Sequence, residues 1–292
     1  DTVSVSCSSQ CSTNCNQECL RNYAKCNSIA DPIKIITVND QSPFISQSGN
    51  DLPIGLDVDL MNYISTLYNI QFTYEYTTFS NLIPVVQNDL NTISISSQTD
   101  TLAREQSVNF AQYFKTGSSF MVQSSSDLII NNLDDLCGKT VVVLADTIHV
   151  NDINTQNTKC DSNNQIELTT VQTFTEALNL VKAGTVQVGV YDEALLTYTA
   201  SQSNSGVKVV GTPYDVQPYG ILCNKNNPKL CCTLVNAINY LINQGIYENL
   251  LNKYSFSYKN NGICPSKINL NSTINCLSTC QPSQTFCQNK LN

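Results

Sequence analysis

From Ile33 to Tyr254 the apolar residues change repeatedly between a spacing of two and a spacing of three to four. That alternation constrains the fold more than any other feature of the chain. Ile33 to Val38 is a short apolar run, Leu60, Ile64 and Leu67 follow at helical spacing within 57–69, and Phe72, Tyr74 and Tyr76 alternate as a strand does. A helix is predicted at 81–88 and a strand at 92–96. After Gly138, residues 139–144 read as a buried strand. Phe174, Ala177, Leu178 and Val181 read as a helix closed by Gly184, and 186–191 as the next strand. Residues 228–254 carry two amphipathic helices broken at Gly245. Repeated βα alternation predicts an α/β protein with mainly parallel sheets, whose ligands sit at the carboxyl ends of the strands.

The 14 cysteines mostly avoid this region. Cys7, Cys11, Cys15, Cys19 and Cys26 fall in an N-terminal extension over 1–30, and Cys276, Cys280 and Cys287 in a C-terminal extension over 257–292. Cys15, Cys19 and Cys26 have the same offsets as Cys276, Cys280 and Cys287, so the two ends are expected to hold similar crosslinked units. An even cysteine count, with a glycosylation sequon at Asn271, predicts an oxidising, secreted setting. A net charge of −8 excludes nucleic acid and anionic membranes as partners. No apolar run approaches a membrane span, and the chain opens on no signal sequence, so it reads as a mature form. No metal is expected, because neither extension has a histidine or a Cys-x2-Cys knuckle. No cofactor is expected either, since dinucleotide and Walker glycine patterns are missing. His149 is the only histidine, which leaves nucleophilic catalysis one candidate base, and it is read as a polar residue near the mouth of a cleft.

Four stretches, in order, resemble one family. Ser94-Ile-Ser-Ser-Gln-Thr99-Asp-Thr101-Leu-Ala-Arg104-Glu-Gln-Ser-Val-Asn-Phe110 is similar to the signature of periplasmic-type amino-acid solute-binding proteins, family 3. The same pattern occurs in the ligand-binding domains of ionotropic glutamate receptors. The stretches 53–60, 136–144 and 244–254 resemble, in turn, the opening of the first helix, the start of the second lobe and the closing helix. The resemblance implies a two-lobed, hinged fold of the periplasmic-binding-protein type II class. Residues 31–122 and 215–256 would form lobe 1, and 125–211 lobe 2. Only a short polar stretch, 121–127, occupies the place where the receptors insert channel helices, so the chain is not a channel.

An α-amino acid needs a bidentate cation for its carboxylate and an anion for its ammonium. Arg104, one of two arginines in the chain, matches the family's carboxylate ligand, and its planar fork suits the task. Asp192 falls where the family places the acid for the ammonium, with Glu193 as the alternative if the register shifts by one. Phe79 aligns with an aromatic that packs on the ligand side chain. Ser97 and Thr99 would contribute at the strand end, and Thr147 would donate from lobe 2. Asp146 stands where a glycine is usual, either repelling a carboxylate or facing a cation. Asn39, Asp40 and Gln41 lie on the loop where the family sets selectivity, and they favour a polar or cationic ligand side chain. The expected disulfides are Cys137 with Cys160, Cys223 with Cys231 or Cys232, and Cys264 with the one left over. The extensions then hold odd numbers of cysteines, which requires a bridge between the two ends or to another molecule.

The implied function is a secreted binding protein for an amino acid or similar small carboxylate. Two alternatives are an extracellular, filament-forming protein that self-associates through its Cys-rich ends, and a dehydratase-like enzyme on the same fold.

Overall fold

A computed structural model describes residues 32–49 and 52–264; Asn271, the five cysteines of the N-terminal extension and Cys276, Cys280 and Cys287 lie outside the described residues. The chain enters strand β1 (Ile33–Thr37) and makes three short strands, β2 (Asp40–Gln41), β3 (Ile45–Gln47) and β4 (Pro53–Ile54). Helix α1 (Leu56–Tyr68) and strand β5 (Phe72–Tyr76) follow. Helix α2 (Leu82–Asn88) and β6 (Thr92–Ser94) then lead into the long strand β7 (Val108–Gln123). The middle of the chain is β8 (Thr140–Leu144), α3 (Ile148–Asn157), β9 (Glu167–Val171), α4 (Phe174–Lys182), β10 (Val188–Asp192) and α5 (Glu193–Ser201). A second long strand, β11 (Val207–Asn224), returns to the first half. Helices α6 (Pro228–Asn243), α7 (Ile246–Lys253) and α8 (Tyr258–Asn261) close the described chain.

The principal sheet runs β5-β1-β6-β11-β7-β10-β8-β9, and β2-β3-β4 form a small antiparallel one. β7 and β11 carry the two-lobed shape. Their outer halves pair at Val108–Asn224 through Lys115–Pro218 beside β6 and β1, while Ser118–Met121 pairs with β10 in the second lobe. Residues 118–121 therefore belong with β8–β10, ahead of the lobe boundary at 122 that the sequence suggests. Between the halves the register breaks at Val210/Tyr214 and Tyr214/Gln217, where Gly211 and Asp215 have positive φ. Gly117 sits at this crossing, and a Cβ there would come within 2.9 Å of the Tyr214 carbonyl oxygen. Two strands crossing with irregular pairing make a hinge between two stiff half-sheets.

One continuous core fills the first lobe with Ile33, Ile35, Leu60, Ile64, Ile93, Leu222, Leu234 and Ile238 and runs on into the second with Val142, Phe174, Ala177 and Val181. Phe120, Val141, Val143, Ile153, Val188 and Val190 form a separate core on the other face of the second lobe's sheet. Local chemistry sets the helix ends. Thr173 and Glu176 form a capping box on α4, and Asn227 caps α6 with Pro228 in its first turn.

Cys137 and Cys160 are joined by a disulfide with Cα atoms 5.6 Å apart, tying the start of β8 to the end of α3. The pairing of Cys223 with Cys231 or Cys232 is not found: Cys223 and Cys231 are free, buried thiols. Cys232 and Cys264 are each disulfide-bonded. Helix geometry explains the split, since neighbours on α6 point about 100° apart. Cys231 faces the core beside Cys223, and Cys232 does not.

Candidate functional site

The site forms where the carboxyl ends of β6 and β10 face each other across the hinge. After β6 the chain turns through Ser97, held at φ 51°, to Thr99, which bridges to Tyr219 of β11. A 3-10 turn at Arg104–Gln106 follows. It aims Arg104 back at the strand end. Arg104 Nη1 donates to the Thr99 carbonyl at 2.8 Å, and Nη2 donates across the cleft to the Asp146 carbonyl at 2.9 Å. The guanidinium lies 5.7 Å from the centre of the buried Phe79 ring, a cation–π distance. Both contacts fix the plane of the fork and leave its other N–H donors for a ligand carboxylate.

Asp192 ends β10 at 7% exposure. Desolvation raises its pKa to about 7, while the neighbouring Tyr219 hydroxyl and the Arg104 charge pull it down. Burial likewise lowers the pKa of Arg104, and Asp192 is the largest of the charges opposing that shift. A buried carboxyl and a buried guanidinium thus feel each other's charge. Glu193, the alternative acid, starts α5 and accepts from Thr197 Oγ1 at 3.4 Å on its own helix.

The lobes touch through polar contacts around this pair. Asp146 has φ 60°, the left-handed region that explains a usual glycine there. Its carboxylate accepts a hydrogen bond from the Ser80 hydroxyl of lobe 1, and it is its carbonyl that meets the cation. Gln41 Nε2 donates to the Tyr191 hydroxyl at 2.6 Å, and Asp40 accepts from the Thr175 N–H at the start of α4 at 3.1 Å. Thr147 points elsewhere: its hydroxyl donates to the Leu144 carbonyl at 2.7 Å, so its proton is not directed at a ligand. Ser97 keeps a buried hydroxyl without a partner among the described residues.

His149 is not at the cleft mouth. It is 1% exposed, stacked on Tyr191 at 5.4 Å, with Nε2 3.1 Å from Ser118 Oγ and 3.8 Å from Asp192 Oδ1. Desolvation, and then the Arg104 charge, lower its pKa to about 3, so the imidazole is neutral and makes no ion pair with Asp192. Sequence reasoning missed Ser118, Tyr191 and Tyr219, which come from three strands and carry no motif. Among the described residues no group of three or more His, Cys, Asp or Glu is placed to hold a metal, and no helix is long and apolar enough to cross a membrane.

Residues 33–257 match the model of the bacterial extracellular solute-binding proteins, family 3. The chain belongs to this family. The arginine-binding protein ArgT of Corynebacterium glutamicum is 23% identical over 215 residues, covering 72% of this chain and 69% of the relative. The ABC transporter glutamine-binding protein GlnH of Bacillus subtilis is 25% identical, covering 68% and 72%. An ancestral arginine-binding protein bound to arginine superposes with a TM-score of 0.71 at 27% identity, covering 77% of this chain and 99% of the other.

Proposed function

We propose that this family 3 protein is a secreted amino-acid-binding protein in which Arg104 takes the ligand's α-carboxylate and Asp192 its α-ammonium as the lobes close. The carrying observation is the buried, oppositely charged pair from two lobes, each the other's electrostatic partner. Thr99 and Ser97 line the strand end beside it, and Phe79 packs behind the guanidinium. The names of the relatives support binding rather than turnover.

The side chain of the ligand is a hydrogen-bond donor on this reading, cationic or amide-bearing. Gln41 supports it: Tyr191 holds its Nε2, while its buried Oε1 has no partner among the described residues and would accept from such a group. Asp146 adds negative charge nearby, which disfavours a second ligand carboxylate.

A thermal-shift panel of arginine, glutamine, leucine and glutamate on protein freed of endogenous ligand tests both parts. A ligand at a hundredfold excess over Kd stabilises the native state by about 2.7 kcal/mol. Arginine or glutamine should raise Tm, and Arg104→Lys should abolish the shift. No response to any amino acid would overturn the function, and a response to glutamate alone would overturn the side-chain class.

A further inference from the structure

A row of side chains joins Asp192 to the hinge. Ser118 of β7 is the register partner of Asp192 on β10 and also of Tyr214 on β11, so three strands set these residues side by side. Tyr214 lies between the two register breaks of the hinge, with its ring stacked on Phe120 at 5.6 Å. Helix α3 meets the row with two residues three apart, a spacing that puts both on one side of a helix. Asp152 accepts from the Tyr214 hydroxyl at 3.2 Å, and His149 Nε2 lies 3.1 Å from Ser118 Oγ. Asp192 Oδ1 is 3.8 Å from the same nitrogen, and the other ring nitrogen, Nδ1, is buried without a partner among the described residues.

Burial, and then the Arg104 charge, keep the His149 ring neutral. A neutral imidazole has one N–H, and the row decides which nitrogen carries it. Asp152 as a carboxylate only accepts, so the Tyr214 proton points to it and the Tyr214 oxygen stays open to a donor. The Ser118 hydroxyl stands beside that oxygen and eases the loss of its proton, as a donor does. With its own proton turned to Tyr214, Ser118 accepts from His149, which places the ring proton on Nε2. We infer that His149 is a positioning residue of the ammonium site: Asp152, Tyr214 and Ser118 keep its proton on Nε2, where it faces Asp192 and supports the ionised carboxylate that an ammonium ligand requires. The opposite tautomer would turn a lone pair toward that carboxylate, while Nδ1 is unmet in either case. This role rests on the proposed contact of Asp192 with the ligand ammonium, and it ties that contact to the hinge strand.

His149 is the only histidine of the chain, so labelling with ¹⁵N-histidine gives a single ring spectrum, whose couplings to the ring protons show which nitrogen is protonated. The ligand-free protein at about pH 7 should show a neutral ring with its proton on Nε2. An Nδ1 proton or an imidazolium, in protein that binds arginine or glutamine, would overturn the role of His149 alone. Tyr214→Phe keeps an aromatic ring against Phe120 and removes the oxygen that Ser118 serves. The Ser118 proton then turns to Nε2, so the ring proton should move to Nδ1. Affinity for arginine and glutamine, read by calorimetry, should fall about tenfold or more, the size of a hydrogen bond to a charged group. Adding Ser118→Ala removes the misplaced donor, and the double variant should regain the Nε2 proton and most of the lost affinity. Additive losses in the double variant, or a tautomer change that leaves affinity as it was, would overturn the inference. Failure of the unmutated protein to bind either probe, with the Nε2 proton in place, would overturn the ligand class and the positioning role with it.

Discussion

Asp192 is an acid whose burial works against the charge that its proposed role requires. Its pKa is raised to about 7 by desolvation, so near neutral pH the carboxyl is part protonated, and an ammonium ligand selects the ionised form. Affinity should therefore rise with pH up to about 7, by at most tenfold per unit, and level off above it. Calorimetric titrations at about pH 5.5 and about pH 8 check this, and equal affinities would remove Asp192 from the ammonium site. The ligand-free protein should show the opposite trend in stability. A raised folded pKa contributes stability that is full below the unfolded value of 3.8 and is lost as pH rises through about 7, for Asp192 and equally for the buried Asp57. His149, lowered from 6.5 to about 3, acts the other way, but it is one group against two. The urea midpoint without ligand should fall as pH is raised from about 5 to about 7. Asp192→Asn should flatten that fall while reducing affinity about 100-fold or more, the size expected when one member of a buried charge pair is removed.

Helix α1 owes its start to one glycine. Gly55 has φ 131°, and a Cβ there would overlap the Phe44 carbonyl, which the Asp57 N–H needs as a hydrogen-bond acceptor at 3.0 Å. Gly55→Ala should lower unfolding stability by about 2–4 kcal/mol, read by denaturant titration, because backbone on both sides must move. That glycine was legible as part of a motif, and so were α1, α4 and the pair α6 and α7, whose apolar residues recur at helical spacing, with Gly184 just after α4 and Gly245 between α6 and α7. The long strands were not. In β7 nearly every residue from Val108 to Met121 is buried on one face or the other, so no alternation remains to read. The strands β2 to β4 are two or three residues long, too short for a period. The site divides the same way. Arg104, Asp146 and Asp192 stood out by motif position, whereas His149, Ser118, Tyr191 and Tyr219 meet only once β7, β10 and β11 are side by side. Of the adjacent cysteines, Cys231 does come beside Cys223, as the sequence allows, but the two are free thiols.

Closure of the whole molecule depends on contacts that no ligand needs to touch. Asp40 on lobe 1 caps the first turn of α4 on lobe 2, and Ser80 reaches Asp146, alongside the Arg104 and Gln41 contacts. A carboxylate on a helix N-terminus is favoured by the unsatisfied N–H groups and by the helix dipole, so the Asp40 contact stabilises the closed form. If ligands bind the closed form, the apparent Kd is the intrinsic value divided by the fraction of molecules able to close. Asp40→Ala changes that fraction and nothing at the ligand. Its expected effect is a loss of about 1–2 kcal/mol, roughly five- to thirtyfold in Kd, by the same factor for every ligand that binds. Gln41→Leu differs, because Gln41 bonds Tyr191 across the cleft and also presents Oε1 to the ligand side chain. It should weaken closure for all ligands and, in addition, change the ratio of affinities between arginine and an amino acid with an apolar side chain. Calorimetry with two ligands on both variants separates the two roles. A changed ligand ratio in Asp40→Ala would place Asp40 in the ligand pocket, and an unchanged ratio in Gln41→Leu would leave Gln41 a closure residue only.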